Sequence, residues 1–217
     1  MSILHHPDDA TLMSYAAGSL PEALSAVVAT HLAMCRCCRD EVADMELLGS
    51  ILMGDIKQTP TSRTVSRAML HSCEADVAED EFDDIAESEG DIRGPLARLI
   101  GEDLDDIPWK RLGFGVWHYP IQLRGSGRGD LRLLKVAPGQ VMPEHGHGGS
   151  ELTLLLRGSY RDEVGHFGVG DVADLDDEVE HTPVADPKEG CVCLIASEEK
   201  ARFKSVFARM VQPLTGI

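Results

Sequence analysis

Residues 139–158 read GQVMPEHGHGGSELTLLLRG. His145 and His147 are two apart, and side chains at i and i+2 of a β-strand project from the same face, so the two imidazoles stand side by side. The Gly148-Gly149 pair then allows the chain to fold back and bring Glu151 toward the same point from the neighbouring strand. Two imidazoles and a carboxylate converging on a β-scaffold form a candidate metal pocket.

The order of Gly139, His145, His147, Glu151 and Gly158 resembles the first motif of the cupin superfamily, small double-stranded β-helix barrels that hold one metal ion inside. His181 stands where a cupin's second motif supplies its last histidine. The chain departs from the general pattern there: no Pro-x-Gly precedes His181, and Ala185 occupies a position where asparagine is common. Three imidazoles and one carboxylate would accept Zn²⁺, Fe²⁺, Mn²⁺, Ni²⁺ or Cu²⁺, and ligand type alone does not choose among them. Glu144, His166 and His118 are further polar residues near the barrel, read as rim or supporting groups. Cys191 and Cys193 face the same way on one strand, either as redox thiols or as small apolar filling.

The chain has 217 residues, six cysteines and a formal net charge of −17. The imbalance is concentrated: residues 73–110 carry 3 basic and 14 acidic side chains, whereas residues 1–72 carry 5 and 8. Such a surface disfavours direct binding to nucleic acid, whose affinity comes largely from Lys and Arg neutralising phosphates. No apolar run approaches the roughly 20 residues needed to cross a bilayer, and the opening MSILHHPDD lacks the order of a signal peptide. The expected location is therefore the cytoplasm, without a membrane partner. In that reducing compartment, clustered cysteines point to metal ligands or redox thiols rather than a disulfide framework.

Three helices are expected before the acidic stretch. The first spans residues 8–17, capped by Asp8 or Asp9 and ended by Gly18. The second follows a Ser19/Glu22 capping box and aligns Leu24, Val27, Val28, His31, Leu32 and Cys35. The third, from about Arg39 to Met53, is expected to turn Val42, Met45, Leu47, Leu48, Ile51 and Leu52 inward. So small a helical unit calls for a staple. His31 and Cys35 share a helix face at i and i+4, and Cys38 follows one turn later. Tetrahedral zinc needs a fourth ligand, for which His5 and His6 are the nearest candidates.

His5-His6, Tyr15-Ala16-Ala17-Gly18, Leu20-Pro21-Glu22-Ala23 and Val28 to Cys35 together resemble the anti-sigma domain of the ChrR family of zinc-binding anti-sigma factors. His181-Thr182-Pro183-Val184-Ala185 and Cys191-Val192-Cys193-Leu194 extend the resemblance into the cupin half. It implies zinc at His6, His31, Cys35 and Cys38, with the preference for His6 over His5 resting on the resemblance alone. It favours zinc at His145, His147, Glu151 and His181 as well. The implied fold class is α+β multidomain, a small all-α zinc-binding helical domain followed by an all-β cupin. The expected boundaries are 1–72 for the helical domain, 73–94 for an acidic linker and 95–217 for the cupin. A helix is expected over residues 62–72, and the resemblance implies that it contacts the partner. The implied function is that of a non-enzymatic anti-sigma factor. It sequesters an extracytoplasmic-function sigma factor and releases it on oxidative stress, singlet oxygen or a related oxidant, sensed through the cupin, which could also pair as a homodimer. The alternative is a cupin-type metal-dependent dioxygenase with a helical docking domain; it leaves His6, His31, Cys35 and Cys38 without a use.

Overall fold

A computed structural model describes residues 2–54, 56–57, 94–101, 103–123, 129–146, 148–199 and 202–203. The expected helix at 62–72, most of the acidic stretch, Cys73 and His147 lie outside the described residues. Helix α1 (Asp9–Ala16) begins where Asp8 accepts from Thr11 N at 2.6 Å, as its sequence predicts. Helix α2 (Glu22–Met34) starts differently from the expected capping box. Pro21 occupies the N-cap position without a side-chain cap, and Ser19 Oγ instead donates to Ser14 O. Helix α3 (Arg36–Gly54) begins three residues earlier than expected, and a short helix α4 (Pro95–Ile100) precedes the barrel.

The larger sheet is six-stranded: β1 (Lys110–Gly113), β2 (Val116–Pro120), β3 (Asp130–Val136), then β11 (Cys191–Ser197), β5 (Glu151–Gly158) and β8 (Val172–Leu175), in that spatial order. Opposite lie two three-stranded sheets. One is β10 (Val184–Ala185), β6 (Tyr160–Arg161) and β7 (His166–Phe167); the other is β12 (Arg202–Phe203), β4 (His145–Gly146) and β9 (Glu180–His181). Every named strand pair is antiparallel. Where β5 and β11 cross closest, a Cβ on Gly158 would lie 2.1 Å from Gly190 O, and both glycines have φ of +71°. Only glycine fits that approach.

The near-continuous apolar run Leu152 to Leu156, interrupted only by Thr153, shows that β5 is buried on both faces. Leu152, Leu154 and Leu156 join Val192, Leu194 and Ala196 of β11 and Leu131 and Leu133 of β3 in one core. The same core includes Leu24, Val27, Val28 and Leu32 of α2, which packs on β3, β5 and β11. The alternate positions Leu134, Val136, Leu155, Cys191 and Cys193 face the barrel interior. The helical unit therefore does not rest on its own apolar contacts plus a staple; it shares a core with the barrel. At about 1.5–3 kcal/mol per fully buried aliphatic side chain, that shared core is a major tie between the two halves.

One expectation is corrected. Val42 is buried and Met45 partly so, but Leu47, Leu48, Ile51 and Leu52 do not turn inward. They are 60, 50, 59 and 60% exposed, and Met53 beside them is 67% exposed. The periodicity that suggested an inward stripe is real, yet no described element of this chain lies against it.

Candidate metal centres

The first centre lies where α2 meets α3. His31, at 0% exposure, hangs from the last turn of α2, Cys35 caps that helix, and Cys38 lies in the first turn of α3. His6 reaches them from the extended arm ahead of α1. One donor atom from each of the four lies within 4.8 Å of every other. His31 Nε2 is 3.3 Å from Cys38 Sγ, and His6 Nδ1 is 3.3 Å from Cys38 Sγ and 3.5 Å from Cys35 Sγ. A tetrahedral zinc with Zn–N near 2.0 Å and Zn–S near 2.3 Å separates its nitrogen and sulfur donors by about 3.5 Å, so the donor set fits that ion. His5 points elsewhere, its Nδ1 being 3.5 Å from Asp171 Oδ2. Cys37 is exposed on the other side of α3.

The electrostatics suit a cation. Burial lowers the His31 pKa to about 4, even though the hydrogen bond to Gly170 O opposes the shift, so the imidazole is neutral at pH 7. Its Nδ1 donates to Gly170 O at 2.9 Å, which leaves the Nε2 lone pair toward Cys38. Burial, reinforced by Cys35, pushes the Cys38 thiol up to about 12. A divalent cation reverses that trend, because it stabilises the thiolates that these surroundings otherwise disfavour.

The second centre lies in the barrel. The cross-strand register places His145 of β4 directly opposite His181 of β9, and Glu151 opens β5 beside them. These three form a candidate metal cluster; His147, also expected there, is outside the described residues. His145 Nδ1 donates to Pro143 O at 2.9 Å, and His181 Nδ1 donates to Asp162 Oδ2 at 2.7 Å. With both Nδ1 atoms committed as donors, two Nε2 lone pairs face one another at 3.1 Å, an arrangement that a cation between them would relieve. The Asp162 side chain is buried. Burial alone would raise its pKa, but the bonds from His181 and from the Gly165 and Val164 amides outweigh that and hold it below the ordinary value.

This centre opens onto a cavity of about 450 Å³, lined by Met142, Pro183, Ile195, Tyr160, Cys191 and Cys193 among others. The Tyr160 hydroxyl is buried without a hydrogen-bond partner among the described residues. Burial raises its pKa, and the Cys193 thiol is also raised, by the hydrogen bond with Cys191 and then by burial. His166 is exposed on β7, and neither it, His118 nor Glu144 joins a described metal cluster. Sequence reasoning missed Asp162, Gly170 and Asp171 as supports of the two centres. Gly170 lies 139 positions from His31, and no local spacing signals that contact.

A helical His₂Cys₂ cluster packed onto a cupin barrel that carries an imidazole–carboxylate cluster defines a two-part architecture. Residues 98–201 match the family described as ChrR Cupin-like domain. The chain is 40% identical over 215 residues to the anti-sigma-E factor ChrR of Cereibacter sphaeroides, covering 98% of each. It also matches a crystal structure of Rhodobacter sphaeroides SigE in complex with the anti-sigma ChrR. That match has 39% identity and a TM-score of 0.74, and covers 90% of this chain and 99% of the other. The chain belongs to the ChrR family of anti-sigma factors.

Proposed function

We propose that this protein sequesters an extracytoplasmic-function sigma factor with its helical part and releases it when the cupin part registers oxidative stress. The expected boundaries of 1–72, 73–94 and 95–217 divide those tasks. Zinc at His6, His31, Cys35 and Cys38 shapes the helices for binding, and a second divalent metal, zinc by family resemblance, sits at His145, His147, Glu151 and His181. No catalytic turnover is required of either centre.

The observation that carries the reading is the apolar row Leu47, Leu48, Ile51, Leu52 and Met53 on α3, left exposed although the rest of the bundle is well packed. A contiguous exposed apolar patch marks an interaction surface, and the relative in the SigE complex supplies the kind of partner that fits it. The net charge of −17 favours a protein partner over nucleic acid. In the barrel, the cavity beside the metal cluster and the paired buried thiols Cys191 and Cys193 support a sensing role for an oxidant such as singlet oxygen.

The test uses the full chain and an extracytoplasmic-function sigma factor from the same organism. The double substitution Leu48→Asp/Leu52→Asp should weaken sigma binding at least tenfold while leaving the melting temperature within about 2 °C, because both side chains already face solvent. Unchanged affinity would remove the α3 surface from the interface. In the same assay, photosensitised singlet oxygen should release sigma from the parent complex but not from a His145→Ala complex. Release from both would take sensing away from the barrel. Metal content separates the dioxygenase alternative: about two zinc per chain favours the regulator, and a single iron the enzyme.

A further inference from the structure

His6 sits on an extended arm outside every helix and strand, and of the four residues of the helical centre it is the exposed one. What holds it in place comes from the barrel. Asp171 Oδ1 accepts from Leu4 N at 2.6 Å and from His5 N at 3.0 Å, and Val172 N donates to His5 O at 3.1 Å. On the other side of His6, Asp8 N donates to Asp174 Oδ2 at 3.0 Å. The arm is thus fastened by its main chain both before and after the ligand, every time to the cupin segment 171–174.

The same segment reaches a second ligand. Gly170 O accepts the Nδ1 hydrogen of His31, which selects the tautomer and ring orientation that present Nε2 to Cys38. Gly170 has φ of +91°, and a Cβ there would lie 2.8 Å from Ile3 Cγ1 and Cδ1, so the arm lies flush on the turn. Asp171 is itself built to stay ionised. Burial would raise its pKa, but the amides of Gly168, His5 and Leu4 together hold it below the ordinary carboxylate value.

We infer that the cupin turn 168–174 is a clamp that positions His6 and His31, with Asp171 as its principal positioning residue. The hold on the helical zinc is therefore a property of both halves of the protein. This rests on the reading that His6, His31, Cys35 and Cys38 bind zinc. Groups that orient metal ligands typically govern affinity by 10–100-fold. Loss of the clamp would also return His6 to a free arm, which must pay ordering entropy each time it ligates. The clamp also has a short route to the barrel centre. It runs into β8, which pairs with β5 so that Leu175 is registered against Glu151. Paired strands thus connect the barrel cluster to the residues that aim His6 and His31.

The experiment follows the helical centre alone in the full-length protein. Cobalt(II) replaces zinc, and the thiolate-to-cobalt absorption reports Cys35 and Cys38, since no thiolate is among the three described barrel ligands. Competition with a chromogenic chelator gives the affinity. Asp171→Ala should weaken the thiolate-bound metal about 10–100-fold, whereas Asp171→Asn, which keeps an oxygen for the Leu4 and His5 amides, should recover most of the loss. Asp174→Ala, which frees only Asp8 N, should give a smaller weakening of about threefold, and it serves if Asp171→Ala does not fold. Parent-like affinity in a folded Asp171→Ala chain, or in Asp174→Ala if that is the chain that folds, overturns the clamp. An Asp171→Asn variant as weak as Asp171→Ala also contradicts the geometry. Absence of the thiolate absorption in the parent protein overturns the zinc reading instead, so the two failures are distinguishable.

Discussion

The helical centre and the barrel centre are assembled on contrasting plans. In the first, three of four candidate ligands fall within eight consecutive residues and are buried, while His6 is exposed, and the donors are half sulfur. In the second, the three described ligands come from β4, β5 and β9, the donors are nitrogen and oxygen, and the cluster faces a cavity. A closed four-ligand site with thiolates suits a structural role, whereas a site bordering free space leaves room for a small molecule to reach the metal. Each plan nonetheless relies on a distant carboxylate for support, Asp162 behind His181 and Asp171 behind the His6 arm. Support from the barrel is therefore common to both centres, and the barrel centre is the one that borders a cavity.

The largest effect that would break this contrast is at Cys38. Apparent binding free energies for structural zinc are of the order of 10 kcal/mol, and they are linked to folding of the surrounding chain. Cys38→Ala should abolish metal at the helical centre, leave metal at the barrel, and loosen the α2–α3 junction. Metal analysis with circular dichroism checks this, and loss of both metals would mean that the two centres are not separate.

A second, smaller effect sharpens the contrast through acid. The His31 pKa is about 4 in the folded chain against 6.5 for an ordinary histidine. In chelator-stripped protein the unfolded state takes up this proton first as pH falls. Stability from this group is thus complete above pH 6.5 and is lost as pH drops from 6.5 toward 4, by about 3 kcal/mol. Urea denaturation at pH 7, 5 and 4 should show the decline, and His31→Gln should flatten it. An equal slope in that variant would assign the acid sensitivity elsewhere.

The smallest effect concerns the barrel. Asp162→Asn keeps the shape but weakens the bond that orients His181, and should lower metal affinity there about tenfold with no change in the cobalt–thiolate signal. A matching loss at the helical centre would show that the two centres respond as one.

The sequence was legible where spacing alone imposes geometry. His31, Cys35 and Cys38 could be grouped because a helix sets i and i+4 on one face, and the cap of α1 could be narrowed to Asp8 or Asp9, of which the folded chain uses Asp8. The inward assignment of Leu47, Leu48, Ile51 and Leu52 failed for a specific reason: periodicity reveals that a helix has an apolar face but not whether its cover belongs to the same chain. The expected Ser19 cap lost to a bond with Ser14 O, a local competition among polar groups that the pattern alone could not rank.

By itself, the order of residues marked the helices before the acidic stretch and grouped His31, Cys35 and Cys38, because those depend on periodicities acting over a few neighbouring residues. The cupin pattern and the choice of His6 came from family resemblance. Only the folded chain decided that α2 shares a core with the barrel, that His145 stands across from His181, and that Asp171 and Gly170 hold the arm and ring of a site far away in sequence. Those contacts join positions 36 to 167 residues apart, and they come from the register of the β-barrel and the close packing of its turn, which no local spacing encodes.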